Sequence, residues 1–365
     1  MNPQALQIPT PSIVLDAPTV HRNLKRLADY AKSHNIKLRP HTKTHKSALM
    51  GKMQMDLGAT GLTVAKVGEA KVMAEVSSDI FMAYPAVDPL RCAELAKLAG
   101  RVTMRVGIDS STAADALASA ARAAGTTIGL LVDLDVGMHR TGLQTPAEAL
   151  ALAQYVSNLK GARLDGIMFY PGSIKDESAE SIKQLQGVDA KLAETIALWA
   201  KSGLKAGIVS GGSSPTAYIS HHVKSATEAR PGTYIFYDMN GVYGGYAKLE
   251  DCAARIHCTV VSNAVPGQFV IDAGTKTLTS DKNGPNPDSG HGYILEYPKA
   301  RIAKLTEEHG QVDSTRCDAL PKIGDRVTVI PNHICPCVNL QNQVWWKEEG
   351  QSPRPMDVDA RGRVF

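Results

Sequence analysis

Nowhere in the 365 residues do about 18 uncharged apolar residues follow one another, the length a membrane-crossing helix needs. Met1 to Thr10 lacks a basic stretch leading into an apolar one, so the chain is assigned to the cytoplasm with no membrane partner. Cysteine is scarce. Six residues, Cys92, Cys252, Cys258, Cys317, Cys335 and Cys337, without a secretory signal argue against a disulfide framework and leave reduced thiols available as metal ligands. Low-complexity tracts are missing, because glycine and proline are scattered. Long Lys/Arg runs are missing too, and with a formal charge of only +4 there is no nucleic-acid footprint; a small anionic ligand suits this balance better than a polyanion. What remains, 43% hydrophobic and 21% charged residues, is the make-up of an ordinary soluble enzyme.

A chain this long exceeds one ordinary core and predicts a large α/β domain with a smaller companion. From Ser12 to Gly212 short β-branched runs alternate with longer amphipathic stretches, which is βα repetition. Strands are predicted at 38–41, 61–65, 79–83, 102–106, 128–134, 166–169 and 207–210, with an eighth at 234–238. Most are uniformly apolar, as strands buried on both faces are. Helices are predicted at 18–33, 145–158 and 179–202, and Asp109 or Ser110 caps the helix that follows it. Right-handed βα units in this number close into a (β/α)8 TIM-type barrel; an open doubly wound sheet is the alternative, which periodicity does not distinguish. After Gly245 helical spacing fades and short alternating segments appear at 254–262, 268–272, 293–296 and 326–330, which read as an all-β domain. The fold class is therefore α/β, a barrel at 16–244 followed by a C-terminal β-domain at 245–365, to which 1–15 is assigned.

Chemistry concentrates in three places. The run Arg39-Pro40-His41-Thr42-Lys43-Thr44-His45-Lys46 falls at the C-terminal end of an early strand, which in a barrel is the catalytic face. A lysine there can form a Schiff base with an aldehyde cofactor if neighbouring cations lower its pKa, and Arg39, His41, His45 and Lys46 supply that crowding; a solvated basic turn is the plainer reading. The turn Ser210-Gly211-Gly212-Ser213-Ser214-Pro215-Thr216 ends a late strand, where backbone amides and serine hydroxyls bind phosphate, though Gly/Ser turns are also common connectors. In Pro331-Asn332-His333-Ile334-Cys335-Pro336-Cys337-Val338-Asn339, read as extended, residues two apart share a face, so His333 and Cys335 can ligate one ion, with Cys337 as a third candidate. Imidazole with thiolate suits Zn2+. A strand with two buried thiols explains the spacing equally well. Arg140 and Tyr170 also follow strands and remain open between site and surface roles.

Together these motifs resemble the D-threonine aldolase/D-serine dehydratase family, fold-type III enzymes of pyridoxal 5′-phosphate (PLP). The likeness spans roughly Thr10 to Phe365 and includes Val270-Ile271-Asp272-Ala273-Gly274, Lys276 and Gly290-His291-Gly292. It implies that Lys43 carries PLP, that Gly211, Gly212, Ser213 and Ser214 hold its phosphate, that Arg140 meets its phenolic oxygen, and that His41 and Tyr170 work beside the substrate. It further implies a divalent metal, Zn2+ or Mn2+/Mg2+, on His333 and Cys335, and a head-to-tail homodimer in which the partner's β-domain completes each site. The substrate implied is a β-hydroxy-D-amino acid. The 336–340 and 230–234 segments are more like D-threonine aldolases, which cleave Cα–Cβ; the Cys335 thiolate is the choice of the dehydratases, which eliminate the hydroxyl as D-serine and D-threo-3-hydroxyaspartate dehydratases do. The balance favours the aldolase type. A PLP-dependent racemase needs no metal, and a PLP-binding protein without catalysis needs no second domain, so the His/Cys pair argues against both.

Overall fold

Strand β1 (Ser12–Asp16) and helix α1 (Ala17–Ser33) open the described chain. Parallel strands then alternate with helices: β2 (Lys37–Leu38), α2 (Ala48–Asp56), β3 (Leu62–Val64), α3 (Val67–Met73), β4 (Asp79–Met82), α4 (Pro89–Leu98), β5 (Thr103–Ile108), α5 (Ser111–Ala123), β6 (Ile128–Asp133), α6 (Pro146–Ser157), β7 (Ala162–Met168), α7 (Ala179–Lys201), β8 (Ile208–Gly211) and β9 (Glu228–Ala229). This computed structural model describes residues 7–365, so residues 1–6 of the predicted 1–15 segment lie outside the described residues. Contacts divide the chain into two units, one of Lys25–Gly232 with Gly362–Phe365, the other running up to Leu24 and then over Thr233–Arg361.

In the first unit the parallel sheet has the order β2-β9-β8-β7-β6-β5-β4-β3. Its end strands meet through the parallel bridge His41↔Thr63, where Thr63 N donates to the Pro40 carbonyl and Thr42 N to the Thr63 carbonyl, both at 2.8 Å. The eight strands thus close on themselves, as a TIM-type barrel does. Helices begin where the sequence offers an acceptor for a first-turn amide: Asp88 takes Arg91 N at 3.0 Å, Ser110 rather than Asp109 takes Ala113 N at 3.3 Å, and Thr145 with Glu148 forms a capping box. Between strands and helices lies an aliphatic layer that includes Ile80, Val106, Leu130 and Leu192, all buried.

Uniformly apolar strands are what the sequence predicts, and one face departs from that. Phe81, Leu131 and Met168 pack together, and Gly107 leaves the room that the Met168 thioether fills; a Cβ there would strike its sulfur. Alongside runs a network of charges. Arg39 is buried, with Nε 2.8 Å from Glu228 and Nη1 2.5 Å from Asp79. Arg105 reaches Asp79 and, at 2.7 Å, Asp165, which also pairs with Arg163. Burying the guanidiniums of Arg39 and Arg105 is tolerated because each meets a carboxylate.

The eighth strand is Glu228–Ala229, not 234–238. Two residues, one of them a buried carboxylate, leave no period to read. Tyr234, Ile235, Phe236 and Tyr237 are all buried, which imitates a strand, yet Thr233–Ile235 is a 3-10 turn and Tyr237 has φ of 48°, so the backbone turns instead of extending.

The other unit carries α8 (Met239–Tyr243), β10 (Ala254–Ser262), β11 (Gln268–Ile271), α9 (Thr275–Leu278), β12 (Tyr293–Ile294), β13 (Arg301–Leu305), β14 (Gly310–Asp313), β15 (Arg326–Ile330), α10 (Ile334–Asn339), β16 (Gln343–Lys347) and β17 (Arg354–Asp357). Its sheet follows β13-β14-β11-β10-β1-β16-β17, with β15 paired to β10 and β12; β1 therefore belongs to this sheet, and its pairing with β16 is parallel in an otherwise antiparallel array. Among the described residues no helix is long and apolar enough to cross a membrane.

Removing one partner of the buried charge network should be costly. Glu228→Ala leaves Arg39 with Asp79 as its one carboxylate partner and its Nε unmatched, and a destabilisation of about 3 kcal/mol is expected as a lower urea midpoint; an unchanged midpoint would show that Asp79 alone suffices.

Candidate active site

Every barrel residue singled out from the sequence stands at or beyond the C-terminal end of a strand: His41 and Lys43 after β2, Arg140 after β6, Tyr170 after β7, and Gly211 to Ser214 at the end of β8. The loop after β2 is tightly tied. Lys46 N donates to the Thr42 carbonyl at 2.8 Å, Lys46 sits at φ 52°, and His41 N donates to Pro231 at 2.9 Å. Lys43 lies exposed on this loop.

The cationic crowding read from the sequence is partly offset by carboxylates. Arg39 is matched by Glu228 and Asp79, and the buried Lys46 ammonium lies 2.6 Å from Glu69. Burial holds His45 down to about 4, even though it bonds Gln54 and the Ser47 amide. His41 is driven well below the usual imidazole range, first by burial and then by Lys43, Arg230, His45 and Lys46. Its ring is therefore neutral at physiological pH, with Nδ1 accepting the Lys43 amide at 3.4 Å, a bond too long to lock the tautomer.

The Gly/Ser turn has the shape of an anion cradle. Gly212 adopts φ of 92°, and a Cβ on Gly211 would enter the Phe169 ring, so the chain passes that ring as bare backbone. Ser213 and Ser214 are buried; the Ser213 hydroxyl lies 3.0 Å from that of Thr216, and Ser214 Oγ accepts the Gly232 amide at 3.2 Å. Because Gly232 also lies against His41, whose carbonyl would be 3.1 Å from a Cβ there, the cradle adjoins the lysine loop. Backbone amides and hydroxyls gathered in this way fit a phosphate.

Two functional candidates were not among those picked from the sequence. Arg230 is buried beyond β9, its Nη1 donating to Ser210 Oγ at 2.7 Å and its Nη2 to the Phe169 carbonyl at 2.9 Å, and it places a cation beside His41. Asp133 ends β6; burial raises its carboxyl to about 6 despite a hydrogen bond from Thr141 and the charge of Arg230. A single acid closing an apolar strand was a readable signal. Arg140 is exposed, with its guanidinium carbon 5.0 Å from the Tyr170 ring centre.

The third motif lies in the other unit and is not extended. His333 has φ of −137° and stands just before α10, while Cys335 is inside its first turn. Pro336 is tolerated there because an amide in the first turn has no helical partner to lose. His333 and Cys335 nonetheless meet: burial opposes a charged ring, yet the bond to Cys335 and the charges of Cys335, Asp238 and Asp281 carry His333 up to about 9. Cys337 turns away, buried, donating to the His333 carbonyl at 3.2 Å. Asp238 is buried behind the turn and accepts the Ile334 amide at 3.0 Å. Among the described residues no three such donors are grouped for an ion.

A closed βα barrel with a lysine loop and an anion turn at one mouth defines the alanine racemase-like class of PLP enzymes. The family described as alanine racemase, N-terminal domain, matches residues 15–240, and a putative serine dehydratase domain matches 253–346. D-threonine aldolase of Arthrobacter sp. is 30% identical over 98% of this chain and 93% of its own. The crystal structure of D-threonine aldolase from Filomicrobium marinum superposes with a TM-score of 0.91 at 30% identity, covering 98% of this chain and 97% of that one. D-threo-3-hydroxyaspartate dehydratase from Delftia sp. HT23 superposes with a TM-score of 0.89 at 26% identity over 96% and 97%. The chain thus belongs to the D-threonine aldolase/D-serine dehydratase family and is a PLP-dependent lyase.

The purified protein should be yellow once supplied with PLP, and Lys43→Ala should lose the visible band while keeping the wild-type far-UV spectrum. A coloured Lys43→Ala protein would move the cofactor linkage to another lysine.

Proposed function

We propose that this lyase cleaves the Cα–Cβ bond of β-hydroxy-D-amino acids in the manner of a D-threonine aldolase, releasing glycine and an aldehyde. The observation that carries this reading is that His41 stands at the C-terminal end of a barrel strand, two residues from Lys43, with its Nδ1 facing the Lys43 amide. A base so placed takes the β-hydroxyl proton as the oxygen's electrons form the carbonyl and the Cα–Cβ pair remains on Cα. PLP, when bound, supplies the electron sink that stabilises that carbanion. Lys43 would anchor the cofactor, Gly211, Gly212, Ser213 and Ser214 would hold its phosphate, Arg140 would meet its phenolic oxygen, and Tyr170 would lie beside the substrate. The 30% identity to D-threonine aldolase over 98% of the chain supports the same assignment.

His333 and Cys335 would hold a divalent metal, whose Lewis acidity would serve the β-hydroxyl. Their borderline-soft donor set favours zinc over manganese or magnesium. In this reading 16–244 is the catalytic barrel, 245–365 with 1–15 carries the metal pair, and the enzyme works as a cytoplasmic homodimer.

A second reading, β-elimination to a keto acid and ammonia, is favoured by one observation. Solved variants of the D-threo-3-hydroxyaspartate dehydratase include a His-to-Ala form and a metal-free Cys-to-Ala form, at positions two apart, the types and spacing of His333 and Cys335. Here Lys43 would take the α-proton while the hydroxyl departs.

Incubation with D-threonine and with D-serine separates the two readings. Glycine with acetaldehyde is the expected result; keto acid with ammonia would overturn the aldolase assignment, and equal turnover of L-threonine would overturn both. A chelator, and His333→Ala, should abolish turnover while leaving the visible band. Full activity in chelator would remove the metal from the scheme.

A further inference from the structure

We propose that Asp133 is a positioning residue for Arg140, acting through the neighbouring Thr141. The inference rests on the reading of Arg140 as a cofactor contact, and it starts from how the loop after β6 is built. The chain leaves the barrel at Asp133 and returns beside it. Leu143 N donates to the Asp133 carbonyl at 2.9 Å, Asp135 N donates to the Leu143 carbonyl at 3.0 Å, and Leu134 bridges Leu143. On the outgoing arm, Asp135 Oδ1 collects the amides of Gly137, Met138 and His139 at 3.2, 3.0 and 3.0 Å. On the returning arm, Thr141 Oγ1 donates to Asp133 Oδ2 at 2.8 Å, and Gly142 N donates to Asp109 Oδ2 at 3.2 Å.

Arg140 is the residue between those two sets of ties. His139 is held on one side and Thr141 on the other, so the Arg140 backbone is fixed while its side chain stays exposed. The anchor on the Thr141 side is itself rigid, because Asp133 is buried at the end of a strand paired on both flanks, to β5 and to β7. Gly142 reinforces the return at φ of 101°, passing so close that a Cβ would lie 2.7 Å from Asp135 N. A cavity of about 10 Å³ lined in part by Asp133, Arg140, Thr141 and Tyr170 has room for one water, which would extend the same contact. A guanidinium on a flexible stem is placed chiefly by where its backbone is held, and here the Thr141 hydroxyl fixes one side of it to the barrel.

The test uses the PLP-loaded enzyme and reads cofactor affinity from the visible band, with kcat and KM for D-threonine beside it. Arg140→Ala tests the reading itself: it should weaken cofactor retention and shift the band. Thr141→Val, which keeps the shape and removes the hydroxyl, should weaken retention about three- to tenfold, the scale of one lost hydrogen bond, and lower kcat more than it raises KM with an unchanged far-UV spectrum. Thr141→Ser should restore both. An effect of Arg140→Ala with none from Thr141→Val, or failure of serine to rescue, overturns the positioning role alone. No effect of Arg140→Ala overturns the cofactor contact and the positioning role with it.

Discussion

The buried guanidinium of Arg39 is the constraint on which the catalytic mouth depends. It joins the first barrel strand to the last through Glu228 and to β4 through Asp79. Lys43 stands four residues further on, after a bridge to Thr63 that closes the ring of strands. An ion pair in such surroundings adds little net stability against an apolar replacement, but breaking it leaves an uncompensated charge. Its contribution is therefore one of registration: β2 contributes only two residues to the sheet, too few to set its own place by backbone pairing, and Arg39 gives it a specific partner on each side.

The barrel was legible because its strands are short apolar runs punctuated by amphipathic helices, and the C-terminal position of each motif followed from that alternation. Arg39 to Lys46 was legible as a site but not as an electrostatic environment. A row of cations in sequence says nothing of the carboxylates that meet them, and Glu228, Asp79 and Glu69 lie far along the chain. Glu228–Ala229 was invisible as a strand because two residues carry no period, while the buried aromatics after it imitated one. The 331–339 motif is not extended as the sequence predicts. His333 and Cys335 are brought together at a helix start, where the residue before the helix and one in its first turn can face each other, so the extended geometry was not needed.

Charge compensation also sorts the histidines. His45 and His41 are both stripped of their proton by burial, but His45 is occupied by Gln54 and the Ser47 amide, whereas His41 stands beside the exposed lysine. A neutral ring beside Lys43 fits the proposed cleavage that begins at a hydroxyl, and the His333/Cys335 pair of the other unit fits the proposed ion. Aldolase and dehydratase chemistry use the same cast, so the distinction rests on which proton is removed first.

Two close approaches in the barrel are set by omission as much as by side chains. Gly107 on β5 yields its space to Met168 at the end of β7, across β6, and Gly211 on β8 yields its space to Phe169. At Gly211 the opposing group is a rigid ring, whereas at Gly107 it is the flexible end of Met168, which can move aside. Trimming Met168 would open a vacancy beside an unchanged Gly107, whereas a larger residue at Gly211 meets a ring with nowhere to go.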